Sequence, residues 1–159
     1  MADVDIKVEG VSDVEKFLTE APREIVATGF LRALKAGGDI IEQTLVFNTP
    51  IKEEDTGGIL ETGELQASVN LKVELDSQLR GGRAVIGFRG NAPNAVANWI
   101  EYGHRIVGHK PKKTFKGKVT KPNPFIRRTA DQTAEPAMAA FSDSLSTTMQ
   151  QYFNQKAGG

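Results

Sequence analysis

Asp55-Thr56-Gly57 carries the tripeptide of aspartic proteases. That chemistry needs a buried pair of carboxylates sharing one proton, with apolar residues leading into the motif. Here Lys52-Glu53-Glu54 precede it, which leaves Asp55 solvated, so the tripeptide reads as a turn. His104 and His109 are the only histidines, and they flank Gly108 in a lysine-rich stretch. A zinc site takes three or four ligands from Cys, His and carboxylate. Even with Glu101 added, the surrounding lysines would repel a cation, so no metal ligand is assigned. No serine stands in a nucleophile-elbow context and no glycine pattern matches a phosphate loop. With no cysteine in the chain, thiol chemistry and a disulfide framework are excluded. Trp99, the sole tryptophan, is a possible stacking surface for a ligand, but on the apolar side of a short helix it reads as core. These residues give no catalytic set and call for no cofactor.

The charge pattern is more informative. Twenty basic and twenty acidic residues cancel, yet no acid lies between Glu101 and Asp131. That interval holds Arg105, Lys110, Lys112, Lys113, Lys116, Lys118, Lys121, Arg127 and Arg128. The rest of the chain carries 11 bases against 20 acids. A chain split in this way can attract a copy of itself, a nucleic acid, or both. A dedicated nucleic-acid domain usually shows an overall basic excess, and Phe115 is the one aromatic between Arg105 and Lys121, so base stacking is poorly served.

The elements that must position these residues follow from periodicity. Val4, Ile6 and Val8 alternate with polar residues as in a short strand, and Ser12 with Glu15 forms a capping-box pattern for a short helix through Leu18. Pro22 opens a long helix whose apolar face includes Val26, Phe30, Leu34, Ile41 and Leu45. It runs to about Phe47 and stops before Pro50, about 39 Å at 1.5 Å per residue. Residues 48 to 64 read as an acidic loop rich in Gly and Pro. Leu65 to Leu75 alternates as a strand with one buried and one wet face, and Gly81-Gly82 turns into a partner strand, Arg83 to Arg89, with Ala84, Ile86 and Phe88 on one side. Pro93 opens a short helix bearing Val96, Trp99 and Ile100, and Gly103 ends it as a left-handed residue. Residues 105–122 form an irregular basic arm, with a small hairpin expected at Thr114 to Thr120. Asn123 caps a last helix with Pro124 at its first position. Its apolar face runs through Phe125, Ile126, Ala130, Ala134, Met138, Phe141, Leu145, Met149 and Tyr152, and Pro136 is expected to kink or split it.

The expected fold is therefore α+β, a small antiparallel sheet packed against two long helices with a protruding basic loop. The 159 residues suit one domain. The N-terminus is acidic where a signal peptide would be basic and then apolar, and no apolar run approaches the roughly 20 residues that span a bilayer, so no membrane partner is expected.

Several short segments, in order, resemble the tail-completion (minor tail) protein family of long-tailed bacteriophages. They are the long helix ending in Thr49-Pro50-Ile51, then Glu61-Thr62-Gly63-Glu64-Leu65-Gln66-Ala67-Ser68-Val69, then Val85-Ile86-Gly87-Phe88. Two more follow: Val96-Ala97-Asn98-Trp99-Ile100-Glu101-Tyr102-Gly103-His104, and Pro122-Asn123-Pro124-Phe125-Ile126-Arg127-Arg128-Thr129-Ala130. The resemblance covers roughly residues 23 to 145. His104 stands where the family has Thr, Glu61 where it has Asp, and the loop after Gly103 is unusually basic. The resemblance implies a structural, non-enzymatic virion protein in the tail and neck, assembled in the host cytoplasm. It implies a six-fold ring of the chain with itself, meeting the connector or stopper, the tail terminator and the tail tube. The basic arm (Arg105, Lys110, Lys112, Lys113, Lys116, Lys118, Lys121) would then face a neighbouring subunit, with at most weak, non-specific contact to genomic DNA in the lumen. The alternative is a nucleic-acid-binding module using residues 105–128. Glu101 either is buried and paired with Arg127 or Arg128 or is a solvated helix end. Phe125, Ile126, Trp99 and Ile100 are expected to pack near Phe30 and Leu34.

Overall fold

Glycine decides how the two long helices meet the rest of the chain. In the computed structural model, which describes residues 11–51, 60, 62–76, 81–105 and 119–158, α1 spans Val11–Glu20 and α2 spans Arg23–Asn48. A Cβ on Gly37 would stand 2.8 Å from the backbone oxygen of Ala137, and one on Gly38 would stand 2.7 Å from a methyl of Leu71. Adjacent glycines thus let α2 be approached closely on two sides, by the last helix and by the sheet. The helix-propensity cost of glycine, about 1 kcal/mol each, is offset by that packing.

After α2 come α3 (Glu64–Ala67), β1 (Val69–Leu75), β2 (Gly82–Phe88), α4 (Asn91–Tyr102) and α5 (Phe125–Ala157). β1 and β2 pair antiparallel, with Val69 opposite Phe88 and Leu75 opposite Gly82. Val69, Leu71 and Val73 therefore share the helix-facing side with Phe88, Ile86 and Ala84. Asn70, Lys72 and Glu74 share the outer face with Val85 and Arg83. The α+β architecture stands, with the two-stranded sheet on α2 and α5 running antiparallel to α2 along its other side. Asn48 Nδ2 donates to Thr129 Oγ1 at one end of that contact, and Gly29 faces Thr148 at the other.

Among the described residues, buried apolar side chains form two clusters. Leu45, Leu65, Phe88, Ala97 and Phe125 are buried together, with Val69, Ile86 and Ile100 against them. Phe17, Val26 and Met149 form the second, with Phe30, Leu145 and Tyr152 beside them. Phe125 and Ile100 accordingly pack at the Leu45 end of α2. The expectation that they lie near Phe30 is wrong, because Phe30 belongs to the other cluster, where its ring tilts against Phe141.

Other differences have local causes. The strand read as beginning at Leu65 begins at Val69. Gly63, at φ 80°, precedes a helical turn that is tied down by Ser68 Oγ donating to the Leu65 carbonyl and Gln66 Nε2 donating to the Val46 carbonyl. Ser12 lies inside α1 rather than capping it. The buried face of α5 is rotated by about one residue from the expected stripe. Phe125, Thr129, Thr133 and Ala137 are buried, while Ala130, Ala134 and Met138 are exposed. Thr129 Oγ1 donates to the Phe125 carbonyl and Thr133 Oγ1 to the Thr129 carbonyl. With the hydroxyls satisfied inside the helix, their methyl groups can face α2. α5 is one helix through Pro136, not two. The expected strand through Val4, Ile6 and Val8 lies outside the described residues, as do Asp55, His109, most of the acidic loop and residues 114–118 of the hairpin expected at Thr114 to Thr120, whose last two residues instead meet His104 and Arg105.

Candidate functional site

The base of the basic segment is held by a glycine turn and a set of backbone and hydroxyl hydrogen bonds. α4 ends at Tyr102, and Gly103 turns the chain at φ 73°, ψ 160°, a region open essentially to glycine alone. A Cβ there would stand 2.5 Å from the Thr120 carbonyl oxygen. Thr120 meets the chain again from the far side of the segment. Its N–H donates to the His104 carbonyl (2.9 Å), the His104 N–H donates to Thr120 Oγ1 (2.8 Å), and that oxygen lies 3.1 Å from His104 Nδ1. Arg105 and Val119 form an antiparallel bridge one step further out. The two ends of the basic segment are thereby held together in a closed neck. Neither His104 nor Thr120 is marked by any local pattern, since the pair is sixteen residues apart.

Glu101 is 4% exposed and is the carboxylate of this site. Of the two readings the sequence left open, burial holds, but the expected partners are corrected. Glu101 Oε2 accepts from the backbone N–H of Ile126 (2.8 Å) and Oε1 from that of Arg127 (3.2 Å), rather than from an arginine side chain. The first N–H groups of a helix have no partner within the helix, and the helix dipole favours an anion there. The remaining donors are also met, Phe125 by the Asn123 carbonyl and Arg128 by the Pro124 carbonyl. Glu101 therefore caps α5 from another helix. The expected cap, Asn123, does other work: its N–H donates to the Ile100 carbonyl and its Oδ1 accepts from Arg128 Nη2 (2.6 Å). Pro124 is assigned as the cap position itself, without a side-chain cap bond.

Trp99 is not the core residue expected from its place on α4. It is 38% exposed and stacks on His104, ring centroids 5.2 Å apart. The buried face of α4 is Pro93, Ala97 and Glu101, and Trp99, two residues beyond Ala97, points elsewhere. Tyr102 is 66% exposed and Val119 is 67% exposed, and Arg105, Lys121, Arg127 and Arg128 are exposed as well. An aromatic and cationic surface therefore surrounds the neck. Lys110, Lys112, Lys113, Lys116 and Lys118 lie outside the described residues. Among the described residues no group of three His, Cys, Asp or Glu is placed to hold a metal ion, and no helix is long and apolar enough to cross a membrane.

Residues 12–103, more than half of the chain, match the family model HK97-gp10-like, described as "Bacteriophage HK97-gp10, putative tail-component". The match runs from α1 to the glycine that turns the chain into the basic segment. No curated protein and no solved structure matches.

Proposed function

Because the chain belongs to the HK97-gp10-like family of phage tail components, we propose that it is a non-catalytic virion subunit that completes the tail at its head-joining end by closing into a ring. The family match carries this reading. Residues 1–101 hold 10 bases and 17 acids, while the segment that follows is purely basic up to Asp131. Opposite potentials on one chain orient neighbouring copies. A contact between two unlike faces is heterologous, and it builds a ring when the rotation closes. Six-fold closure would match the symmetry of phage tails. In the neck such a ring meets the connector or stopper, the tail terminator and the tail tube.

The closed neck supports a role for the basic arm as a projecting contact. Lysines bind phosphate as point charges without reading sequence, and a conduit for a departing genome gains nothing from tight DNA binding. The main contact of the arm is therefore with protein, and any attraction to DNA is weak and lost with salt. Replacing Lys110, Lys112, Lys113, Lys116 and Lys118 with serine should leave the melting temperature unchanged and abolish head-to-tail joining. Normal yields of infectious particles from that variant would refute the role of the arm. A titration with duplex DNA at two salt concentrations separates protein contact from a nucleic-acid function. Tight binding that survives the higher salt would favour the latter.

A further inference from the structure

The sheet has two strands among the described residues, so each strand has one edge without a neighbouring strand. The flanking bonds fix which groups lie on those edges. Arg89 N–H donates to the Ser68 carbonyl and Asp76 N–H to the Gly81 carbonyl. In the observed register the bonded pairs are therefore Asn70–Gly87, Lys72–Val85 and Glu74–Arg83. The N–H and C=O groups of Val69, Leu71 and Val73 then point away from β2, and those of Ala84, Ile86 and Phe88 point away from β1. Leu71 bears this out, since its outward N–H donates to Glu42 Oε1 of α2 at 2.7 Å. No acceptor among the described residues meets the outward N–H groups of Ala84 and Ile86. Unpaired donors and acceptors alternating along an edge are the complement of another strand.

The two edges fit each other. On both, the residues whose backbone faces outward are those whose side chains face the helices. Pairing the β2 edge of one copy with the β1 edge of another therefore continues the apolar side of the sheet without a break. Of these six residues all but Phe88 are only half-buried in the single chain, which leaves apolar surface for a neighbour to cover. On the outer side β2 carries Arg83 and no acid, while Glu74 stands on β1. Edges on opposite sides of one sheet are unlike faces, and a contact between unlike faces runs head-to-tail. Copies related by rotation keep their strand directions along the axis, so β2 of one copy runs antiparallel to β1 of the next, as within the chain.

We propose that neighbouring copies are joined by strand pairing: β2 of one copy adds to β1 of the next, and Glu42 yields the Leu71 N–H to a carbonyl of the incoming strand. The inference rests on the ring reading and deepens it by naming the contact between subunits. In the single chain Glu42 covers the β1 edge, as side chains of edge strands and their neighbours commonly guard against pairing out of place.

The chain has no cysteine, so introduced thiols report this joint alone. Across the joint Val85 lies in a non-bonded pair, with Cα atoms about 4.5 Å apart, within reach of a disulfide. A slip of two residues keeps the sides matched, so Val85→Cys is tested against Asn70→Cys, Lys72→Cys and Glu74→Cys in turn. The two forms are made as separate full-length chains in the same phage-producing cells, one of them tagged, so that only a contact between copies links them. Tails are purified and oxidised. One of the three mixtures should give a covalent dimer of tagged and untagged chains, and each variant alone should stay monomeric on a denaturing gel. Ala84→Pro removes an outward N–H that has no partner in the chain, a change that an edge strand accepts. It should leave the melting temperature unchanged and weaken self-association at least about tenfold. Normal assembly of a folded Ala84→Pro chain overturns the proposal, and the disulfide test decides by itself if that variant does not fold. A ring in the tails with no disulfide from any mixture overturns the strand joint and leaves the ring reading standing. Dimers from Val85→Cys alone overturn it in favour of a symmetric contact between two β2 edges. Absence of the chain from tails overturns both readings.

Discussion

Replacing Glu101 with alanine tests the joint between α4 and α5. The substitution removes the acceptor of two backbone N–H groups, Ile126 at 2.8 Å and Arg127 at 3.2 Å, at a residue only 4% exposed. A hydrogen bond to a charged group contributes about 1.5–3 kcal/mol net. The longer bond belongs at the weak end of that range, and water entering the space left by the side chain recovers part of the loss. The expected cost is about 2–4 kcal/mol. For a domain of this size each kcal/mol shifts Tm by about 2–4 °C, so the melting midpoint should fall by roughly 5–15 °C. Glu101→Gln keeps the shape and one acceptor oxygen but turns an NH2 toward an N–H, and its midpoint should fall between the two. Hydrogen exchange supplies a local readout, since the amides of Ile126 and Arg127 should exchange faster than those of mid-helix residues such as Thr133. A Glu101→Ala protein that melts within about 2 °C of wild type, with both amides still protected, would refute the cap.

Gly103→Ala should be the most damaging conservative change at the neck. The backbone conformation alone costs a non-glycine residue about 1–3 kcal/mol and the approach to the Thr120 carbonyl adds to it, so an unchanged urea midpoint would contradict the geometry. Phe125→Ala empties a site that is 0% exposed and should cost about 3–5 kcal/mol in the same assay. Glu74 is held down to about 2 by hydrogen bonds from Lys72 and Arg83 and by their charges. A depressed folded pKa gives stability that is present above the unfolded value of 4.5 and is lost as pH falls toward about 2. Glu74→Gln should therefore flatten the stability profile in that window alone. The difference should be small and should shrink with added salt, because the group is exposed; a difference as large at the acid end of that window as at neutral pH would refute the assignment.

The legible parts of the fold were those set by short-range patterns. The limits of α2 follow from Pro22 and Pro50, and the pairing of β1 with β2 follows from alternation on both strands. The parts read wrongly depended on partners distant in sequence. Apolar residues alone place the stripe of α5 about one residue away, because they exclude Thr129 and Thr133. A threonine that bonds the carbonyl four residues back presents a methyl group, and it is the closeness of α2 at Gly37 that selects that face. Trp99 looked like core because it is the largest apolar side chain on α4, but a short helix has one buried face and Pro93, Ala97 and Glu101 occupy it. The acid in this site was visible as a residue and its role was not. A buried Glu101 calls for a cation, which points to Arg127 or Arg128 at the start of α5, but no residue pattern shows that the donors there are backbone N–H groups rather than guanidinium groups. The charge split was plain from the start, whereas the closed neck that presents it depends on the contact between His104 and Thr120.

Closure of this chain into a ring at the head-joining end of the tail, as proposed above, is open to direct observation. A cryo-electron microscopy reconstruction of the neck in intact particles tests it directly. The expected density is a closed ring of this chain between connector and tail tube, six copies around the axis, with the basic segment of each copy against its neighbour. Density placing the chain as isolated monomers on the outer surface of the tail, or a neck with no density for it, would contradict the account.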